Sequence, residues 1–127
     1  MPRIVPLIQR AVDQSGLSSK CVSVRSINAC VLDTEFDPKR MEEELKAACQ
    51  AAIAEDGAEA ICLGCSGMTR FTEYLEKELG VPVLDGVVAA VKLAEALVDM
   101  GKTTSKVLTY QTPSAKPYSG TVKPLEP

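Results

Sequence analysis

The sequence predicts an α/β fold: an open, mostly parallel sheet with helices on both faces. Three observations predict it. Stretches of helical and strand periodicity alternate along the chain, and strict alternation requires crossovers between parallel strands. The run "AICLG" at 60–64 is short and continuously apolar, as in strands buried on both faces of a parallel sheet. The punctuation also fits, with Asp37-Pro38 opening one helical stretch and Gly16 and Gly80 closing others.

The elements follow in order. Residues 3–14 place Ile4, Leu7, Ile8 and Val12 on one helical face, and Pro6 is tolerated in a first turn. In 20–27, "KCVSVRSI", Val22 and Val24 alternate with Ser23 and Arg25, which reads as a strand. Residues 27–37 form a loop. Asp37 then caps a helix to about residue 55, with Met41, Leu45, Ala48, Ala52 and Ile53 at helical spacing. After the "AICLG" strand, Thr69 caps a helix that runs through Leu79. "VPVLD" at 81–85 is the next strand, with Pro82 at its permitted first position. Residues 86–100 form a helix apolar on two sides and hence well buried. "VLTYQTP" at 107–113 suits a last short strand. The organisation expected is a single lobe over 1–112 and a loose tail over 113–127, which holds four of the eight prolines.

Composition narrows the function. The chain has 127 residues, 46% apolar and 24% charged, enough for one domain with a real core. Aromatic content of 4%, no Trp and a net charge of −3 argue against nucleic acid as a partner. No apolar run reaches the roughly 20 residues of a membrane span. The short apolar start "MPRIVPLIQRAV" lacks the form of a secretion signal. Five cysteines, an odd number, suit a reducing compartment, and a cytoplasmic location is expected. With no histidine, acid–base chemistry falls to Cys, Asp, Glu, Lys or Tyr.

The segment "AICLGCSGM" at 60–68 concentrates the candidates. Cys62 and Cys65 form a C-x-x-C. A redox pair places its first cysteine at a helix N-terminus, whereas Cys62 falls inside the apolar strand and reads as core. One such pair with no histidine is a poor zinc site, and no metal is expected. A phosphatase loop of the C-x5-R type fails because only four residues separate Cys65 from Arg70. Cys65 itself lies at the C-terminal end of a strand and just before a helix, where open α/β sheets keep their sites. Backbone N–H groups there favour negative charge on a thiolate or a ligand oxygen. Gly64 and Gly67 would admit a ligand close to the backbone, and Ser66 and Thr69 add hydroxyls. Cys65 is then a thiolate base or nucleophile, or a small packing residue in a tight turn. Local features leave both open. Asp85 points to the same sheet edge, either to bind substrate or to cap the next helix. Cys21 and Cys49 read as packing residues, and Cys30 sits in a loop that could border the site. Lys92 reads as solvated, and Arg25 as an anion contact or an exposed charge.

Together, "EDGAEAICLGCSGM" and "LGVPVLDGVVAAVKLAEALV" resemble the hydantoin and allantoin racemases of the aspartate/glutamate racemase superfamily. "SVRSINACVLD" and "KTTSKVLTYQTPSAK" resemble flanking parts of the same pattern, so the likeness extends over about residues 3–117. The resemblance implies two similar α/β lobes with a site between them, each lobe giving one cysteine. One thiolate removes a proton from the stereogenic carbon and the opposite thiol returns one to the other face. It implies Cys65 as the second-lobe catalytic residue, with Gly64, Ser66, Gly67 and Met68 on its substrate loop. No cofactor is implied. The substrate expected is a small molecule, a cyclic ureide or related amino-acid derivative. A doubly wound unit normally opens on a strand, whereas this chain opens on a helix. The lobe's first strand and the first lobe with its own cysteine are therefore expected to be missing from this chain. None of Cys21, Cys30, Cys49 and Cys62 matches the motif of that absent cysteine. Uncovered sheet edges invite association, so a homo-oligomer or low stability is expected of the chain alone. A non-catalytic fragment that binds a small anion or self-associates is the alternative, and a thiol redox protein a third.

Overall fold

Asp37 begins the best-defined part of the molecule. Its side chain accepts the backbone N–H of Arg40, and Pro38 occupies the first helical position, where a missing N–H costs nothing. The helix so started is Pro38–Asp56 (α3), which ends at Gly57 in the left-handed conformation that glycine adopts without strain. In this computed structural model residues 2–30 and 32–114 are described. A 3-10 turn, Pro2–Ile4, leads into Val5–Gln14 (α1), and a short helix, Asp33–Phe36 (α2), precedes α3.

The remaining elements are Ile61–Leu63 (β1), a 3-10 turn Ser66–Phe71, Thr72–Leu79 (α4), Val83–Asp85 (β2), Gly86–Asp99 (α5) and a 3-10 turn Leu108–Tyr110. β1 and β2 pair in parallel, with Ile61 opposite Val83, Cys62 opposite Leu84 and Leu63 opposite Asp85. This β–α–β unit confirms the α/β class with a small open parallel sheet. The chain divides into two units, Met1–Lys92 and Leu93–Pro127. The first holds both strands and the core. The second holds the C-terminal part of α5 and the Leu108–Tyr110 turn.

The core is built from Met41 and Leu45 of α3, Phe71 at the end of the 3-10 turn, Leu75 of α4 and Val83 of β2. Cys49 and Ala52 continue the α3 stripe at helical spacing, and burial pushes the Cys49 thiol pKa up. Its sequence reading as a packing residue holds. Ile61 and Leu63 pack against this cluster, while Cys62 and Leu84 point the other way and are exposed. The sequence placed Cys62 in the core; its neighbours are there, but the period of two turns its own side chain to the uncovered face.

Three further expectations differ from the structure. Residues 21–27 form no regular element and join no ladder among the described residues, and Val22 is 58% exposed. A strand needs a partner, and residue alternation cannot supply one. Residues 107–113 contain a 3-10 turn rather than a strand. α5 forms as expected but holds no buried residue, so its apolar faces are uncovered. The tail expected over 113–127 lies beyond the described residues from 115 onward. Among the described residues no helix is long and apolar enough to cross a membrane.

The segment around Arg25 is tied down by charge. Arg25 pairs with Asp56 and Glu55 at the C-terminal end of α3, at 2.5 and 2.7 Å. It is therefore a structural clamp rather than a free anion contact. The Arg25 guanidinium, with the Ser23 hydroxyl second, pulls the Asp56 carboxyl pKa down from 3.8 to about 2. A depressed folded-state pKa stabilises the fold above the unfolded value and loses that contribution as pH falls through the folded value. Thermal melts should therefore weaken between about pH 4 and about pH 2. In Arg25→Met that part of the pH dependence should shrink, and equal slopes in both proteins would contradict the clamp.

Candidate active site

The site forms where the two strands end level. Leu63 and Asp85 are register partners, so the chain leaves both strands at the same sheet edge. After β1 it runs through Gly64 and Cys65 into the 3-10 turn; after β2 it passes straight into α5. Between the two exits lies a cleft of about 250 Å³. Leu63, Gly64, Cys65 and Ser66 line one side and Asp85, Gly86 and Val87 the other.

Cys65 occupies the residue before the 3-10 turn, in extended conformation, and is half-buried. The first bond of the turn runs from the Met68 N–H to the Cys65 carbonyl at 2.9 Å. The N–H groups of Ser66 and Gly67 precede that bond and by position have no partner within the turn. Phe71 closes the turn by burying its ring in the core, so the thiol stands on an anchored platform.

Asp85 is 8% exposed. Its Oδ1 accepts the N–H groups of Val87 at 2.7 Å and Val88 at 3.4 Å, which caps α5. The cap expected as one of its two roles is thus present. Oδ2 is buried with no hydrogen-bond partner. The Thr69 hydroxyl beside it holds the Asp85 carboxyl pKa below its ordinary value, burial pushes it up, and the two amides lower it further. The Thr69 hydroxyl also donates to the Ser66 carbonyl at 2.8 Å.

Of the residues singled out in the sequence, Gly64, Cys65, Ser66 and Asp85 come together around the cleft. Gly67 and Met68 do not line it. Met68 packs against the core, and a side chain added at Gly67 would point toward Thr34 Oγ1 at 3.5 Å and Cys65 Sγ at 3.7 Å. Cys30 is exposed, with its N–H donated to Asp33 Oδ2. Sequence reasoning missed Gly86 and Val87, although the Asp85-Gly86 pair at a strand–helix junction repeats the logic of Gly64-Cys65. It also missed Thr34, a buried hydroxyl behind the turn that no sequence signal marks.

The C-x-x-C reading fails on geometry. Cys62 lies in β1, Cys65 is extended, and no bend separates them. Three extended residues span roughly 10 Å, beyond the 4.4–6.8 Å between Cα atoms that a disulfide allows. Among the described residues no group of three or more Cys, Asp or Glu side chains is arranged to hold a metal ion.

Comparison with known proteins gives the family of the chain. The family described as Asp/Glu/Hydantoin racemase matches residues 1–94. The hydantoin racemase of Pseudomonas sp. (strain NS671) is 48% identical over 97% of this chain and 49% of its own length. That of Rhizobium meliloti is 50% identical over 94% of this chain and 50% of its own. Allantoin racemase from Klebsiella pneumoniae superposes with a TM-score of 0.88 at 38% identity, covering 100% of this chain and 52% of that one. The chain thus spans about half the length of the relatives it matches.

Gly64 has an ordinary φ, and nothing lies within 4 Å of a methyl placed on it. The fold does not need glycine there. Gly64→Ala should melt within about 1 kcal/mol of the parent. It should slow alkylation of Cys65 by iodoacetamide several-fold, read by mass spectrometry of the Cys65 peptide. Unchanged alkylation would mean that Gly64 does not control access to the thiol.

Proposed function

Since the chain belongs to the Asp/Glu/Hydantoin racemase family, we propose that it is one half, contributing one of two catalytic cysteines, of a cofactor-independent racemase acting on a hydantoin, allantoin or related amino-acid derivative. One observation carries the reading: a thiol stands in a small cleft at the end of a parallel strand, before a turn whose first two N–H groups have by position no partner within that turn.

The chemistry follows from those parts. Racemisation requires removal of a proton from the stereogenic carbon and its return on the other face. Cys65 supplies one proton carrier, and a second thiol outside this chain supplies the other. The carbanion between them survives only if its charge spreads into the adjacent ring carbonyl. Ser66 and Gly67 N–H groups are the donors that would meet that oxygen, fixed in place and costing no reorganisation. Gly64 leaves room for the ring, Ser66 and Asp85 contact it, and Gly67 and Met68 hold the turn. A cleft of about 250 Å³ suits a small heterocycle. No metal or organic cofactor enters the proposed steps.

A homo-oligomer in the cytoplasm is part of the same reading. Its support is the uncovered α5, including Val88 and Leu93, and the exposed sheet face at Leu84. A second reading, a non-catalytic fragment that binds a small ligand or self-associates, draws on the half-length coverage of the relatives.

Incubation with an optically pure 5-substituted hydantoin, followed by circular dichroism, separates these readings. The chain should discharge the optical signal, alone or with a protein supplying the second thiol. Cys65→Ser should slow that by about 10²–10⁴-fold, the usual worth of a positioned base. Equal rates with and without the thiol would remove Cys65 from the reaction, and a folded but inert chain would favour the fragment.

A further inference from the structure

The cleft holds one proton carrier, and the proposed reaction needs two. All five cysteines lie among the described residues, and of these Cys65 alone lines the cleft. Cys49 is buried in the α3 stripe, and Cys62 points to the other face of the sheet. Asp85, the other ionisable group lining the cleft, is already engaged. Its Oδ1 receives the Val87 and Val88 N–H groups, and Oδ2 is closed off from the surface. Work on both faces of one carbon therefore calls for a thiol from another chain.

Beside Cys65 the cleft runs onto uncovered apolar surface. Val87 lines the cleft and is 49% exposed, and Val88 and Val91 are each 51% exposed. Val87 and Val91, four residues apart, share one face of α5, with Val91 about 6 Å further along the helix. From Gly86 to Val91 the helix carries no charged side chain, and no cationic side chain lines the cleft. In a two-fold contact a patch meets its own copy, so a charged patch would set like charges together and an uncharged one does not. The chain spans about half the length of its relatives, so two copies supply the length of one.

We propose that a second copy of this chain docks on this surface about a two-fold axis and brings its own Cys65 to the far side of the ring, so that two chains share one active site. The identity of the ring rests on the racemase reading. The Cys65 thiolate takes the proton from the stereogenic carbon and becomes a thiol. The partner's Cys65 enters as a thiol, gives its proton to the opposite face and leaves as a thiolate. The proton count is unchanged, and the pair is set for the reverse direction.

Cross-linking, sedimentation and mixed dimers test this in the full chain. In Cys30→Ser/Cys62→Ser, a short bis-maleimide should link Cys65 to the partner's Cys65, read as that peptide pair by mass spectrometry. Val91→Asp places a charge on the docking face outside the cleft. It should sediment as a monomer that still melts cooperatively, and its hydantoin turnover should fall by about tenfold or more. Parent and Cys65→Ser chains co-expressed in equal amounts should turn over at about one quarter of the parent's rate, because only dimers with two intact thiols work. A rate near one half would mean that each chain works alone and would overturn the proposal. So would a monomeric parent, or a dimer that never links the two Cys65 residues. A parent inert toward every hydantoin would defeat the racemase reading instead, and the cross-link would still decide the pairing.

Discussion

The register of two short strands governs everything else. Leu63 opposite Asp85 makes β1 and β2 end together, so the Asp85 carboxylate of that pair and the Cys65 thiol two residues beyond Leu63 line one cleft. A slip of one residue would invert the side chains of either strand and carry Asp85 to the uncovered face. What holds the register is apolar. Val83, Phe71 and Leu75 are almost fully buried against α3, and Phe71 pins the far end of the turn that Cys65 begins. The core thus sits directly behind the turn that Cys65 begins, and packing there positions that turn.

The cleft combines two demands that oppose each other. A carboxylate capping α5 stabilises the β2 exit, yet it brings a buried negative charge to the site proposed for a thiolate. Thr69 and the Val87 and Val88 amides keep that carboxyl ionised below its ordinary pKa against burial. The turn N–H groups beside Cys65 are the compensating positive ends. Small residues at 64, 66, 67 and 86 keep the backbone accessible, which suits a ligand held by main-chain groups more than by long side chains.

Local signals were legible and non-local ones were not. Asp37-Pro38 fixes the start of α3 because caps depend on neighbours in sequence, and the expected end at about residue 55 falls within a residue of Asp56. Gly80 ends α4 for the same reason. The start of α4 shifted: Thr69 reads as its cap, but Thr69 and Thr72 hydroxyls bond to the carbonyls three residues back, and Ser66–Phe71 winds as a 3-10 turn instead. Residues 20–27 had the right alternation but no laddered partner among the described residues, and α5 had an apolar surface but no buried residue. Both depend on contacts that sequence period cannot supply. Around the cleft, Gly64, Cys65, Ser66 and Asp85 were readable because strand ends and turns are written locally. Thr34 was not, since its place behind Gly67 comes from α2 packing on the turn.

The central claim is that Cys65 moves a proton on one face of a small ring. Hydrogen exchange at the stereogenic carbon tests it most directly. A single enantiomer of a 5-substituted hydantoin is held with the chain in deuterium oxide, and the C5–H signal is followed by NMR beside the optical rotation. The account predicts deuterium uptake above the buffer rate that depends on the Cys65 thiol. No thiol-dependent uptake into either enantiomer would contradict it.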